Sequence, residues 1–309
     1  MRVRAILLVA VLLLAGCRSS NPDETEMIFN PAQLTFTRLT TNTGADTAPS
    51  WNPSGSTLAF LSPRSGHLEV HSIVVANGEV DQITDEWGGQ AVSRPSWAPD
   101  GDRMVVAADF VEGKTPSAFG ALWVISYLSS FPIYAHLTGE GGTLDWPAWS
   151  PGGEWIAYSG EGRLWMISPV PGSRVQEIDT RDLTDAVEPA WSPDGEWIAY
   201  AASNGHDHDV YFQTAQDGSP TALAASGSDE RSPTWSPDGR FIAYQSNGSG
   251  NWDIWIARVG GGSPLNVTSD IRTSDTQPAW NPVTGSLAFC SNRTGNIDIW
   301  LLEDLSFLE

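Results

Sequence analysis

Hydrophobic positions in this chain fall in short runs, each bounded by turn formers, and the runs repeat. The clearest example spans residues 191–200 and reads W-S-P-D-G-E-W-I-A-Y. Proline presets φ, aspartate tolerates turn geometry and glycine takes φ > 0, so P-D-G makes a tight turn. Trp191 before the turn and Trp197, Ile198, Ala199 and Tyr200 after it predict a β-hairpin. The stretch recurs at Trp51, Trp97, Trp149, Trp235 and Trp280, and the six tryptophans step by 46, 52, 42, 44 and 45 residues. Recurrence at this period identifies a repeat protein.

Each full unit carries four strand-like runs. In the fifth they lie at 233–235, 241–245, 254–258 and 265–268, with turns at 236–239, 247–250 and 260–262. Four short antiparallel strands per unit predict a propeller blade. The fourth run ends on an apolar residue and a threonine: Leu39-Thr40, Ile83-Thr84, Leu137-Thr138, Leu183-Thr184 and Val267-Thr268, with a weaker form near Leu223. The first of these tags precedes the first tryptophan, whereas runs at 286–290 and 297–302 follow the last tryptophan with no tag after them. The last blade therefore lacks an outer strand and residues 34–40 lack a sheet. Placing 34–40 on the last blade closes the ring and leaves no open edge. The expectation is an all-β, six-bladed β-propeller of four-stranded antiparallel blades over 34–304, with 305–309 as a C-terminal tail.

Residues 1–16 hold Arg2 and Arg4, then an apolar run at 6–14 too short for a comfortable membrane span, which fits a secretory signal. The run ends at Leu14-Ala15-Gly16-Cys17, which resembles the bacterial lipoprotein box; that resemblance implies cleavage before Cys17 and diacylglyceryl transfer to its thiol. Residues 18–33 are polar with two prolines and no strong period, and read as a tether. The same resemblance makes Arg18 after the lipidated cysteine favour the outer membrane in a Gram-negative host. Cys290, the other cysteine, sits in an apolar run and reads as a small core residue.

The repeat pattern P-x-W-S-P-D-G-x-x-I-A-[YF], then S-N-x-x-G-x-x-D-I-W, then L-T is similar to that of the TolB-type β-propellers of the bacterial envelope. It is carried by residues 233–244, 246–255, 278–280 and 291–300 and their partners, and it covers 34–304. TolB's separate α/β domain has no counterpart in the tether before residue 34. The resemblance implies the fold, and a channel mouth at which a partner peptide docks.

Charge narrows the function. The net charge is −21 over 309 residues, which disfavours nucleic acid and a bare anionic membrane surface, since both need a basic footprint. The segments between the Thr tag and the next tryptophan cross the face holding the channel mouth. They carry Asp46, Glu230 and Asp275 five residues before a tryptophan, with Asp145 and Glu188 nearby and Arg94 in the second unit. These acids either ring the mouth, where they would bind a cation or a basic partner segment, or cap turns. The second unit is enlarged at residues 109–121, and Phe110 and Phe119 there, with Trp87, either anchor an interface or fold back on their own loop. Asp209, Asp253, Asp298 and Glu69 occupy one repeat position and read as structural. His206-Asp207-His208-Asp209 lies at a hairpin tip and supplies too few convergent ligands for a metal site; no cofactor is expected. No G-x-S-x-G nucleophile elbow occurs. The expected function is a non-enzymatic, lipid-anchored scaffold binding an envelope protein or peptide at the channel mouth. The alternative is a carbohydrate-binding or glycan-cleaving propeller.

Overall fold

A computed structural model describes residues 34–84, 93–108, 121–126, 135–137, 144–216 and 218–308. The expected signal, Cys17 and the tether lie outside the described residues. The strands form six separate four-stranded antiparallel sheets. Blade 1 runs Thr47–Trp51, Thr57–Ser62, Glu69–Val74 and Glu79–Gln82 from the axis outward. Blades 2 to 5 follow in the same order within residues 96–136, 144–178, 184–224 and 230–266. Apolar layers between adjacent blades form the core; one joins Trp51, Phe60 and Ile73 of blade 1 to Ala288, Ile299 and Leu301 of blade 6.

Blade 6 is made from both parts of the chain, as the tag bookkeeping predicts. Its inner three strands are Asp275–Trp280, Leu287–Ser291 and Asp298–Glu303, and its outer strand is Thr35–Arg38. Thr35 pairs with Glu303 and Arg38 with Trp300. Arg38 reaches the fully buried Asp298 at 2.7 Å. Residues 305–308 pack inward: a 3₁₀ turn at Ser306–Leu308 seats Leu305 and Leu308 in the core with Phe36 and Trp300.

The Thr tag has a physical role. The Oγ1 of Thr84, Thr268 and Thr40 accepts the backbone N–H of Val70, Ile254 and Ile299 at 2.9, 2.8 and 3.0 Å. Each hydroxyl thus ties the end of an outer strand to the start of the third strand. Thr40 does so across the ring closure, which is why the same dipeptide appears before the first blade.

The tryptophan of the turn motif is an inter-blade clamp. The indole N–H of Trp51, Trp97, Trp191 and Trp235 donates to the carbonyl of Ala279, Ser50, Ala148 and Ala190, at 3.0–3.2 Å. In each case the acceptor directly precedes a tryptophan of a neighbouring blade. Trp149 departs from the pattern and donates to Gly153 in its own hairpin. The turn itself is closed locally: Asp194 accepts the Ser192 hydroxyl and the Glu196 N–H, and Gly195 takes φ 75°. Trp235→Phe keeps an aromatic side chain, though a smaller one, and removes one inter-blade bond. A loss of about 1 kcal/mol is expected, read as a lowered urea midpoint with unchanged slope.

Candidate functional site: the central channel

The inner strands descend along the axis, and each carries a register irregularity just before its tryptophan in five of the six blades. At the third residue before the tryptophan the chain turns left-handed in those blades: Ala48, Trp146, Glu188, Ser232 and Gln277 have φ of 50–60°. Such a conformation is costly for non-glycine residues, and a bulge there re-aims a side chain. The result is a belt of polar contacts around the axis. Gln277 accepts the N–H of Ala48, Gln245 that of Gln277, and Glu188 that of Ser232. Blade 2 places Arg94 at this position, and it donates to the carbonyls of Pro49 and Pro278, both at 2.9 Å. One arginine therefore holds blade 2 to blades 1 and 6.

Above the belt, on the side of the S-P-D-G turns, the channel opens into a funnel of about 420 Å³. All six blades line it. Its wall is built from the tryptophans of five repeats and from prolines such as Pro53, Pro99, Pro151 and Pro282, and Arg94 of the belt borders it. A second cavity of about 20 Å³, bounded by Arg94, Trp146, Glu188 and Ser232, lies beneath. Arg94, Pro147 and Pro189 border both spaces and so lie between them. Burial lowers the Arg94 pKa to about 10, which leaves it cationic at neutral pH. Burial is also the main cause that raises the carboxyl pKa of Glu188.

The five acids expected near the mouth do not converge on one ring. Asp46, Glu230 and Asp275 are at most 1% exposed. Asp46 pairs with Arg64 at 2.8 Å and Asp275 with Arg293 at 3.0 Å. Each arginine also donates its Nε to a serine two residues earlier, Ser62 or Ser291. Glu230 accepts the hydroxyls of Ser226 and Ser246. These carboxylates are spent inside the blades and present no surface to a partner or a cation. Asp145 is partly buried and caps the N–H of Trp146. Glu188, alone of the five, borders an axial space. Trp87, Phe110 and Phe119 lie outside the described residues. Among the described residues no three His, Cys, Asp or Glu side chains are placed to share a metal ion. His208 faces Arg231 and Asp229 instead. Cys290 is fully buried, and burial pushes its thiol up to about 12.

The buried acids set a pH dependence. Burial raises the carboxyl pKa of Glu230 above 4.5, with the Ser226 and Ser246 hydroxyls opposing it. A raised folded-state pKa means the native protein holds the proton more tightly. That contribution is complete below the unfolded pKa and is lost as pH rises through the folded one. Asp194 works the other way: the Ser192 hydroxyl holds it low, so its contribution fades only in acid. Glu230→Gln keeps one acceptor for the two hydroxyls and replaces Oε2, which has no partner. The variant is expected to melt higher than wild type near pH 8 and level with it near pH 5. A series of melting temperatures across that range checks this.

The sequence model of a family described as the TolB beta propeller domain matches residues 18–168 and 163–304. Among curated proteins, an uncharacterized peptidase, YuxL, of Bacillus subtilis is 28% identical over 37% of this chain and 21% of its own length. The uncharacterized protein Atu1656 of Agrobacterium fabrum is 30% identical over 40% of this chain and 42% of its own. The chain thus spans about a fifth of the length of the first relative and about two fifths of the second. Among solved structures, a putative TolB from Agrobacterium tumefaciens superposes with a TM-score of 0.58, at 23% identity over 69% of this chain and 73% of that one. TolB from Acinetobacter baumannii gives 0.62 at 17% identity over 79% and 59%. An oligogalacturonate lyase from Vibrio parahaemolyticus gives 0.58 at 13% identity over 89% and 95%. At these identities the structural likeness speaks for the fold alone.

Proposed function

We infer that this chain, which belongs to the TolB β-propeller domain family, is a non-enzymatic scaffold that holds a protein or peptide partner in its central funnel. In this reading it is exported and anchored to the bacterial envelope through a lipid on Cys17, with residues 18–33 as the tether. The observation that carries the reading is the funnel itself. Every blade contributes to it, and among the described residues its wall is mostly proline and tryptophan with Arg94 as the one ionisable lining group. Such a lining offers contact area and an anchoring charge and, among the described residues, no acid–base pair for bond cleavage. The mouth lies on the face of the S-P-D-G turns, opposite the face on which the acids were expected to act.

A carbohydrate-binding or glycan-cleaving propeller is the second reading, favoured by the fold likeness to the lyase. Against it, four funnel tryptophans, Trp51, Trp97, Trp149 and Trp280, are only 5–8% exposed. Their faces are packed between blades and give no open platform for a sugar ring. A photo-reactive phenylalanine at the funnel rim, replacing Pro151, tests the first reading against one at Val80 on an outer strand. Discrete adducts from the rim alone, in cells carrying the full chain, support the scaffold. Equal labelling from both positions, or none, removes it. Metal-dependent release of sugar products from a glycan panel would install the second reading.

A further inference from the structure

We propose that Arg94 is a carboxylate-binding residue of the funnel, and that its ligand is the free C-terminus of a partner polypeptide. The proposal rests on the funnel being the partner site. Its first support is an unpaired charge. Arg38, Arg64 and Arg293, which also reach between strands, each meet a fully buried carboxylate, Asp298, Asp46 and Asp275. Arg94 donates only to the two neutral carbonyls of Pro49 and Pro278, and no described carboxylate lies within 4.0 Å of it. Glu188, the nearest acid to influence it, is committed to the Ser232 N–H.

A guanidinium has five N–H donors in a planar fork that matches a carboxylate. Two are used here, and Arg94 borders both the funnel and the small cavity below. Burial without a counter-charge is costly, and a ligand carboxylate supplies the missing partner. Among the six residues at this position, Ala48, Arg94, Trp146, Glu188, Ser232 and Gln277, Arg94 alone is cationic.

The shape selects a chain end. Residues of all six blades line the funnel around Arg94, so a terminus reaches it in single file. An internal acidic side chain would require the chain to enter and leave through the same mouth. The proline-rich wall suits apolar residues upstream of that terminus, and 420 Å³ is within the range of sites that enclose small ligands.

The test is a titration of the wild-type chain with a pool of N-acetylated apolar tripeptides, each as free acid and as C-terminal amide, followed by tryptophan fluorescence. Digalacturonate and acetate form two further arms. Free acids are expected to bind at least about tenfold tighter than amides, and Arg94→Gln to abolish that difference. Because Arg94→Gln also loses an inter-blade contact, its fold is checked by circular dichroism; the acid–amide comparison on the wild type stands without it. Equal binding of acids and amides, or no binding of either, overturns the proposal. Arg94-dependent binding of digalacturonate in place of the peptides also overturns it, by giving the carboxylate to a sugar acid. Rim adducts with no acid preference would leave the scaffold standing and remove only Arg94's role. Loss of both removes the two together.

Discussion

Removal of residues 34–40 is expected to abolish cooperative folding of the ring. The segment supplies the outer strand of blade 6, paired along Thr35–Arg38 with the strand Asp298–Glu303. It also supplies the Thr40 hydroxyl that receives the Ile299 N–H, and Arg38 against the buried Asp298. Leu34 and Phe36 pack on the cluster that holds Phe289, Leu302 and Leu308, while Leu39 packs on the layer shared with blade 1. Three partly buried apolar side chains contribute on the order of 4 kcal/mol together. The strand's hydrogen bonds and the Asp298 charge, left unpaired, add several more. Against a net stability of roughly 5–15 kcal/mol for a domain, this is most of the total. The deleted chain should show no sigmoidal melt and should elute as aggregate, because the exposed strand presents an open edge. Arg38→Glu, which sets two negative charges together at the same seam, should lower the melting temperature without deleting anything. A deletion variant that melts within a few degrees of wild type contradicts closure by this strand.

The second large effect is at Asp275. Its carboxylate is fully buried, and Arg293 reaches it while lying over the rings of Phe36, Phe289 and Trp300 at 4.5–5.1 Å. Asp275→Ala leaves that guanidinium without its carboxylate. The expected loss is about 3 kcal/mol, the low end for a broken buried pair because the rings still hold the cation. Replacing both partners, as Asp275→Leu with Arg293→Met, should recover much of it, since a well-packed apolar pair needs no desolvation. Chemical denaturation of the two singles and the double measures the coupling. Partner adducts at the funnel rim should be unchanged per folded molecule in every variant. Loss of adducts at full stability would return Asp275 to the binding surface.

The blade architecture was legible because it is periodic. The turn motif, the Thr tag and the missing final tag each occur at fixed spacing, and the spacing alone placed residues 34–40 on blade 6. The fate of the acids was not legible in the same way. Whether Asp46 faces solvent or a guanidinium depends on Arg64, across a hairpin and two residues after Ser62. The recurrence of Ser-x-Arg at Ser62/Arg64 and Ser291/Arg293 was the available signal, and it points to a structural pair. The belt was hidden for another reason. Ala48, Arg94, Trp146, Glu188, Ser232 and Gln277 share no chemistry, so they look like variation between repeats. Only the left-handed backbone at five of these positions, with its register shift, turns them toward the axis. The odd cation at Arg94 was visible in the alignment of repeats; that it borders a cavity needed the ring to be closed.

Filling the funnel should displace the partner. Ala148 lines it and is only half-buried, so Ala148→Trp puts an indole into open space rather than into the packed core. With the cross-linker at Pro151, the expected result is a melting temperature within a few degrees of the parent and loss of the partner adduct. A filled funnel that still yields the full adduct would contradict the funnel as the partner site.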